Sequence, residues 1–173
     1  MRALDRRQFS IGLTAASGFG LPAAGHSACL PPHAGKAILT VEGRISCTGE
    51  GGKASFDIPM LEKLGMVAFE TNTPWYNGPM KFEGVPMSVL MKTVGASGSK
   101  VTAVALNDYT TEIPISDFDQ YKPILAIKRN GEYMPVKDKG PLFIVYPYDS
   151  NPELKSQKFY SKSAWQVARL TIS

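Results

Sequence analysis

The chain has 173 residues, of which 20% are charged, and a net charge of +4 that falls to +2 without Arg2, Asp5, Arg6 and Arg7 near its start. This length fits one domain with a real core, and so small a charge gives no electrostatic case for nucleic-acid binding. Residues 34–173 contain no histidine and one cysteine, Cys47, so most hydrolytic and metal-dependent mechanisms lack their usual side chains.

The first 28 residues have the pattern of an export signal. A short basic region is followed by the apolar run Ile11–Gly25, which is too short to span a bilayer. The sequence has no second long apolar run, so no transmembrane segment is expected. The segment Asp5-Arg6-Arg7-Gln8-Phe9-Ser10 resembles a twin-arginine export signal. That pathway carries folded proteins, so the resemblance implies removal of residues 1–28 and a periplasmic location.

Cys29 directly follows the predicted cleavage site, and three fates are open to it. Cleavage after Ala28 makes it the N-terminal residue. Ser27-Ala28-Cys29 also resembles the end of a lipoprotein signal, in which Cys29 is acylated, although the aliphatic residue expected at position 26 is a histidine. An oxidising compartment permits a disulfide between Cys29 and Cys47. The sequence does not choose among them.

Residues 29–36 read as a linker, and the predicted domain covers residues 37–173. Asp57 is the predicted N-cap of a short helix that Gly65 ends. Alternating and β-branched residues predict strands, and Pro74 interrupts the last of these. The predicted elements of this half are strands at 37–41, 54–56 and 67–73 and a helix at 58–64.

The second half predicts one clear helix and several strands. Pro86 is typical of a helix start, and the apolar spacing that follows predicts a helix over residues 85–94. Asn107-Asp108 predicts a hairpin turn, and Asn130-Gly131 a tighter one. Strands are predicted at 101–106, 110–114, 124–129, 142–146 and 166–172. Many short strands with two short helices predict a single compact α+β domain.

Six segments, taken in order, resemble the molybdopterin-binding domain of the sulfite oxidase family, and the likeness extends over nearly the whole chain after the predicted export signal. They are residues 75–90, 105–109, 124–126, 130–132, 140–142 and 163–166. In that family a cysteine at the end of the strand before the tryptophan loop ligates molybdenum. The matching strand end here reads Thr71-Asn72-Thr73, which offers no thiolate to a soft metal. Molybdenum is therefore not expected.

Without that cysteine, the chain more closely resembles small periplasmic pterin-binding proteins of the PruR type. This resemblance implies a non-catalytic sensor or carrier that binds a reduced or molybdopterin-like pterin. It also implies a membrane-bound signalling partner with a periplasmic domain that controls cyclic-di-GMP. The alternatives are a molybdopterin-dependent oxidoreductase with an atypical metal ligand, and an interaction module whose pocket has collapsed.

The resemblance assigns pterin-binding roles by residue type. Aromatic rings stack on a flat heterocycle, polar groups pair with its pyrimidine edge, and the segment 161–163 is expected to hold a polar tail or a phosphate. The carboxylates between Asp108 and Asp119 lack metal-loop spacing and are expected to be solvated. The predicted stacking residues are Trp75, Tyr76, Tyr160 and Trp165, the edge residues are Asn72, Thr73, Asn107 and Asp108, and the tail residues are Ser161, Lys162 and Ser163.

Overall fold

Two five-stranded β-sheets form the frame of the computed structural model, which describes residues 29–173. The predicted export signal lies outside the described residues. The strands are β1 (Leu39–Gly43), β2 (Ala54–Phe56), β3 (Val67–Thr71), β4 (Met80–Pro86), β5 (Lys100–Ala105), β6 (Thr110–Pro114), β7 (Ile124–Arg129), β8 (Glu132–Tyr133), β9 (Phe143–Val145) and β10 (Val167–Ile172). The helices are α1 (Ile58–Lys63), α2 (Met87–Thr93), α3 (Ser116–Gln120) and α4 (Gln157–Tyr160).

The first sheet has the order β2-β1-β10-β5-β6. Strands β1 and β10 are parallel, and every other neighbouring pair of this sheet is antiparallel. In β5 the residues alternate between buried and half-buried, as expected where one face of a sheet covers the core. The second sheet has the order β3-β4-β7-β8, with β9 paired to β7. The mixture of sheets and short helices confirms the predicted α+β class.

The core draws apolar residues from both sheets and from all four helices. Residues 124–127 and all of β9 are buried on both faces, so these strands read as continuous apolar runs rather than alternating ones. Asp57 caps α1 as predicted, because its Oδ1 accepts the Met60 N–H at 2.9 Å. Its Oδ2 accepts the Gly35 N–H at 2.8 Å, which ties residues 29–36 to the domain.

The predicted helix over residues 85–94 was wrong at its start. Val85 and Pro86 end strand β4, and α2 begins only at Met87, whose N–H donates to the Pro123 carbonyl at 3.0 Å. The proline signal marked the end of the strand, and pairing of β4 with β3 and β7 outweighed the helical spacing. Gly84 lies at an irregularity in this pairing, where a Cβ would collide with the Leu125 carbonyl oxygen. Helix α3 had no counterpart among the predicted elements.

Cys29 and Cys47 form a disulfide, with their Cα atoms 5.4 Å apart. Of the three fates open to Cys29, this is the one that the structure contains. Because its Sγ is bonded to Cys47, it has no free thiol for a thioether-linked lipid.

We expect the protein, denatured without reductant, to show no thiol that reacts with a maleimide, and two after reduction. Closing a loop over a separation of 18 residues stabilises the fold by about 3 kcal/mol. The double variant Cys29→Ser/Cys47→Ser should lose roughly that much in a denaturant titration. A reactive thiol in the unreduced protein, or a mass that includes acyl chains, would contradict the disulfide.

Candidate aromatic binding site

A cleft of about 270 Å³ opens between three loops of the domain. The first loop follows β3, the second joins β5 to β6, and the third runs from α4 to the start of β10. We call the space between these loops the aromatic cleft. It is lined by Pro74, Trp75, Asn107, Tyr109, Gln157, Tyr160, Ser161, Ser163 and Trp165. The structure thus brings together six of the predicted site residues, from positions 75, 107, 160, 161, 163 and 165.

Trp75 is the centre of the aromatic wall. Its ring meets four others edge-on, with centroid distances of 5.4 Å to Phe143, 6.2 Å to Tyr148, 6.0 Å to Tyr160 and 5.7 Å to Trp165. Such edge-to-face pairs contribute about 0.5–1.5 kcal/mol each beyond their buried area. Trp75 is therefore a packing residue as well as a lining residue, and its ring is held in place.

Tyr109 forms the outer part of the wall. Its ring is parallel to Trp165 within 5°, at a centroid distance of 6.4 Å, and its hydroxyl donates to the Ser161 carbonyl at 2.8 Å. The side chain is exposed, so the contact with Ser161 fixes a ring that solvent would otherwise leave free. Tyr109 belongs to a segment that carried the family resemblance, but its position just before β6 gave no separate signal for a site residue.

The turn before Tyr109 presents amide groups at the cleft. Asn107 Oδ1 accepts the Tyr109 N–H at 3.2 Å, and Asp108 has a φ of 64°, a conformation that Asn and Asp tolerate. Asp108 shapes this turn and does not line the cleft. Gln157, on the opposite side, was also missed by the sequence analysis, because nothing in a four-residue helix marks one face as a site.

The strand end that matches the family's cysteine position is closed by internal hydrogen bonds. Asn72 donates to Asp149 Oδ2 through its backbone N–H, at 2.6 Å, and its side-chain amide, at 3.0 Å. Thr71 is buried, and its Oγ1 accepts the Asp149 N–H at 3.0 Å. Thr73 Oγ1 accepts the Trp75 N–H at 3.4 Å. Asn72 and Thr73 therefore shape the tryptophan loop and do not line the cleft.

Tyr76 lies outside the aromatic cleft, among charged side chains. The Arg129 guanidinium lies 4.2 Å and the Lys139 ammonium 4.9 Å from its ring centroid, and its hydroxyl donates to Asp138 at 3.1 Å. Burial raises the pKa of Tyr76 to about 12, although the positive charge of Arg129 opposes the shift. Lys139 also lies 5.4 Å from the Trp165 ring centroid, so this charged group supports the wall of the cleft from outside.

The structure corrects the expected placement of Lys162. Its ammonium is buried and donates to Asp117 Oδ2 at 2.6 Å, so it faces away from the cleft. Asp117 is likewise buried, contrary to the expectation that the carboxylates of its segment are solvated. Lys162 needs a charged partner because an unpaired buried ammonium is costly. Ser163, its neighbour, is also buried, and its hydroxyl pairs with the Tyr148 hydroxyl.

The residues present do not fit a molybdenum ion held by a thiolate. Both cysteines of the chain are in the disulfide, and the hydroxyl and amide groups at the matching strand end already have partners. Among residues 29–173, no three His, Cys, Asp or Glu side chains are grouped as metal ligands. By contrast, a cleft with aromatic walls and neutral amides fits a flat heterocycle such as a pterin.

The sequence model of the oxidoreductase molybdopterin-binding domain matches residues 39–150, a range that includes β1, the tryptophan loop and β9. The chain belongs to this family. The family likeness predicted from the ordered segments is therefore confirmed. A search of curated proteins found no match.

A solved structure agrees with this assignment at the level of the fold. The sulfane dehydrogenase SoxCD from Paracoccus pantotrophus superposes with a TM-score of 0.58 at 19% sequence identity, over 78% of this chain. The present chain spans 37% of that protein's length. Within the described part of this family member, no helix has both the length and the apolar character needed to cross a membrane.

Acid should weaken the strand end that precedes the tryptophan loop. The Lys155 ammonium, followed by the two Asn72 donors, lowers the pKa of Asp149 to about 2. A lowered pKa stabilises the fold above the carboxyl's ordinary value near 4, and this stabilisation is lost as the pH falls towards 2. Because Asp149 is exposed, we expect its ionised carboxylate to contribute only about 1 kcal/mol to the free energy of unfolding.

Asp149→Asn should therefore unfold about 1 kcal/mol more easily at pH 7 and lose less stability between pH 4 and pH 2 than wild type. Denaturant titrations across this range measure both effects. Asp119→Asn, at an exposed site on α3, is the control and should leave the unfolding free energy at pH 7 unchanged. Superimposable curves for wild type and Asp149→Asn would show that this carboxylate does not hold the loop.

Proposed function

We propose that this protein binds a pterin in the aromatic cleft and does not catalyse a reaction on it. The observation that carries the proposal is the gathering of Trp75, Tyr109, Tyr160 and Trp165 around one cleft, next to a strand end that lacks the family's thiolate. The family match supports a pterin as the ligand class. The structure supplies the neutral, aromatic surroundings that such a ring requires.

The size and lining of the cleft favour a bicyclic ring. Its volume of about 270 Å³ lies just below the range of about 300–1,000 Å³ typical of drug-sized ligands, so a ring with a short substituent fits better than a dinucleotide. Around the aromatic wall, Asn107 and Gln157 carry amide groups that can donate to and accept from a pyrimidine edge. Both side chains are exposed and so are accessible to a ligand.

The side chains that line the cleft support a role in binding without catalysis. They are aromatic, amide, hydroxyl and proline groups, none of which ordinarily gains or loses a proton near pH 7. A general acid or base would need such a group within hydrogen-bond reach of the ligand. Binding alone needs none, and a ligand that binds only the folded state stabilises the loops that contact it.

The proposal extends to a periplasmic sensor or carrier that reports the bound pterin to a membrane signalling protein. The twin-arginine pattern and the disulfide support the compartment, since both are typical of exported proteins. Leu106 is exposed on the same turn as the lining residue Tyr109, so a ligand that contacts Tyr109 would alter the surface around Leu106. Cell fractionation tests the location, and cross-linking in the presence and absence of pterin tests the partner.

The second candidate function is a molybdopterin-dependent oxidoreductase with an atypical metal ligand. It is favoured by the family's name and by the structural likeness to a sulfane dehydrogenase. Metal analysis of the exported protein separates the two. Molybdenum at one equivalent per chain would favour the oxidoreductase, and a pterin without molybdenum would favour the binding protein.

Pterin binding should quench the intrinsic fluorescence, because both tryptophans of the chain line the cleft. We expect Tyr109→Ala to weaken the affinity for tetrahydropterin about fivefold, the equivalent of one aromatic contact worth about 1 kcal/mol. Tyr133→Ala is the matched control, since Tyr133 is also exposed and its hydroxyl also makes a hydrogen bond of 2.8 Å, to Glu62. Anaerobic titrations measure all three proteins.

Two outcomes would count against the proposal. If the wild-type protein binds no oxidised pterin, dihydropterin or tetrahydropterin, the assignment of a pterin as the ligand is wrong. Equal losses of affinity in Tyr109→Ala and Tyr133→Ala would move the binding site away from the aromatic cleft.

A further inference from the structure

Asp117, Tyr146 and Lys162 form a buried polar cluster that the proposed binding site does not use directly. We call it the buried triad. Lys162 Nζ lies 2.6 Å from Asp117 Oδ2, and the Tyr146 hydroxyl donates to the same oxygen at 3.1 Å. The side chains of Lys162 and Asp117 are only 11% and 9% exposed. The ammonium also lies 4.7 Å from the ring centroid of Phe159, which shields it further.

The triad holds the middle residue of a segment that lines the cleft. Ser161 and Ser163 contribute to the cleft, whereas Lys162, between them, reaches back to α3. The Ser161 carbonyl accepts the Tyr109 hydroxyl, and the Ser163 hydroxyl pairs with Tyr148. A shift of this segment would therefore move both contacts. One holds Tyr109, and the other holds Tyr148, whose ring packs against Trp75.

Stability alone does not explain why such a cluster is buried. Removing two charges from water costs about as much as their attraction returns, so replacing a buried ion pair by apolar groups of similar size is often neutral or stabilising. Removing one partner alone is severe, because it leaves the other charge buried and unpaired. What an ion pair supplies, and apolar packing does not, is a direction: Lys162 satisfies its charge only when it reaches Asp117.

We propose that Asp117, Tyr146 and Lys162 are positioning residues for the aromatic cleft. They fix residues 161–165 in the one conformation in which Tyr109 and Trp165 form its wall. The proposal rests on pterin binding as the function of the cleft. The triad touches no ligand and acts only through the segment that it anchors.

The test replaces the whole triad by apolar groups of similar size, in Asp117→Leu/Tyr146→Phe/Lys162→Met. The chain contains a matched control, because Glu62, Lys128 and Tyr133 form the same combination of groups on the surface, away from the cleft. There Lys128 lies 3.1 Å from Glu62, which also accepts the Tyr133 hydroxyl at 2.8 Å. The control is Glu62→Leu/Lys128→Met/Tyr133→Phe. Thermal unfolding, acrylamide quenching of the two tryptophans and tetrahydropterin titration are measured on both variants and on wild type.

We expect the triad variant to unfold cooperatively, with a midpoint within about 5 °C of wild type. Its tryptophans should be quenched more readily, and its affinity for tetrahydropterin should be about tenfold weaker, while the control keeps wild-type quenching and affinity. A folded triad variant with unchanged quenching and affinity would overturn the proposal.

Two further outcomes are informative. If wild type binds no pterin, the proposed function fails, and the quenching comparison alone decides whether the triad positions the wall. If the triad variant does not fold, Asp117→Asn/Lys162→Met, which keeps an acceptor for Tyr146, takes its place with the same expected result. Failure of both to fold would make the triad a requirement for folding and would overturn its assignment as a positioning device.

Discussion

The packing of Trp75 against four aromatic rings is the interaction on which the aromatic cleft depends. Its partners come from strand β9 and from the long irregular segment that leads to β10, so one side chain joins the tryptophan loop to the second sheet and to this segment. Edge-to-face contacts are directional, because the positive ring edge must meet a negative ring face. A cluster of them therefore fixes orientations as well as distances. The cleft is the open end of this cluster rather than a separate cavity.

Irregular backbone around the cleft is held by side chains instead of sheet hydrogen bonds. Residues 146–166 contain only short helical turns, so many of their polar groups need partners from elsewhere. Asp149 receives two donors from Asn72, and Lys162 pairs with Asp117. Each of these contacts connects residues far apart in the sequence. The segment is thus ordered by tertiary contacts, which helices and hairpins do not need to the same extent.

This difference explains what the sequence could and could not predict. The Asp57 cap and the Asn130-Gly131 turn were predictable because a few adjacent residues determine them. That several of the predicted residues line one cleft also followed, since the aromatic loops were matched in order to a known family. Strand β4 was missed because the Pro86 signal and the apolar spacing beyond it favour a helix locally, whereas pairing with β3 and β7 is a long-range effect. Lys162 and Asp117 are 45 residues apart, and no local pattern indicates that either side chain is buried.

The end of strand β3 carries no thiolate, and its polar groups pair with other side chains of the protein instead. Asn72 donates to Asp149, the Asp149 N–H donates to Thr71, and Lys155 balances the charge of Asp149, so these polar atoms are satisfied within the protein. A metal centre demands donors that stay free until the ion arrives. Under the proposed function, paired donors beside an open aromatic surface would leave the site to select its ligand by shape, stacking and amide hydrogen bonds.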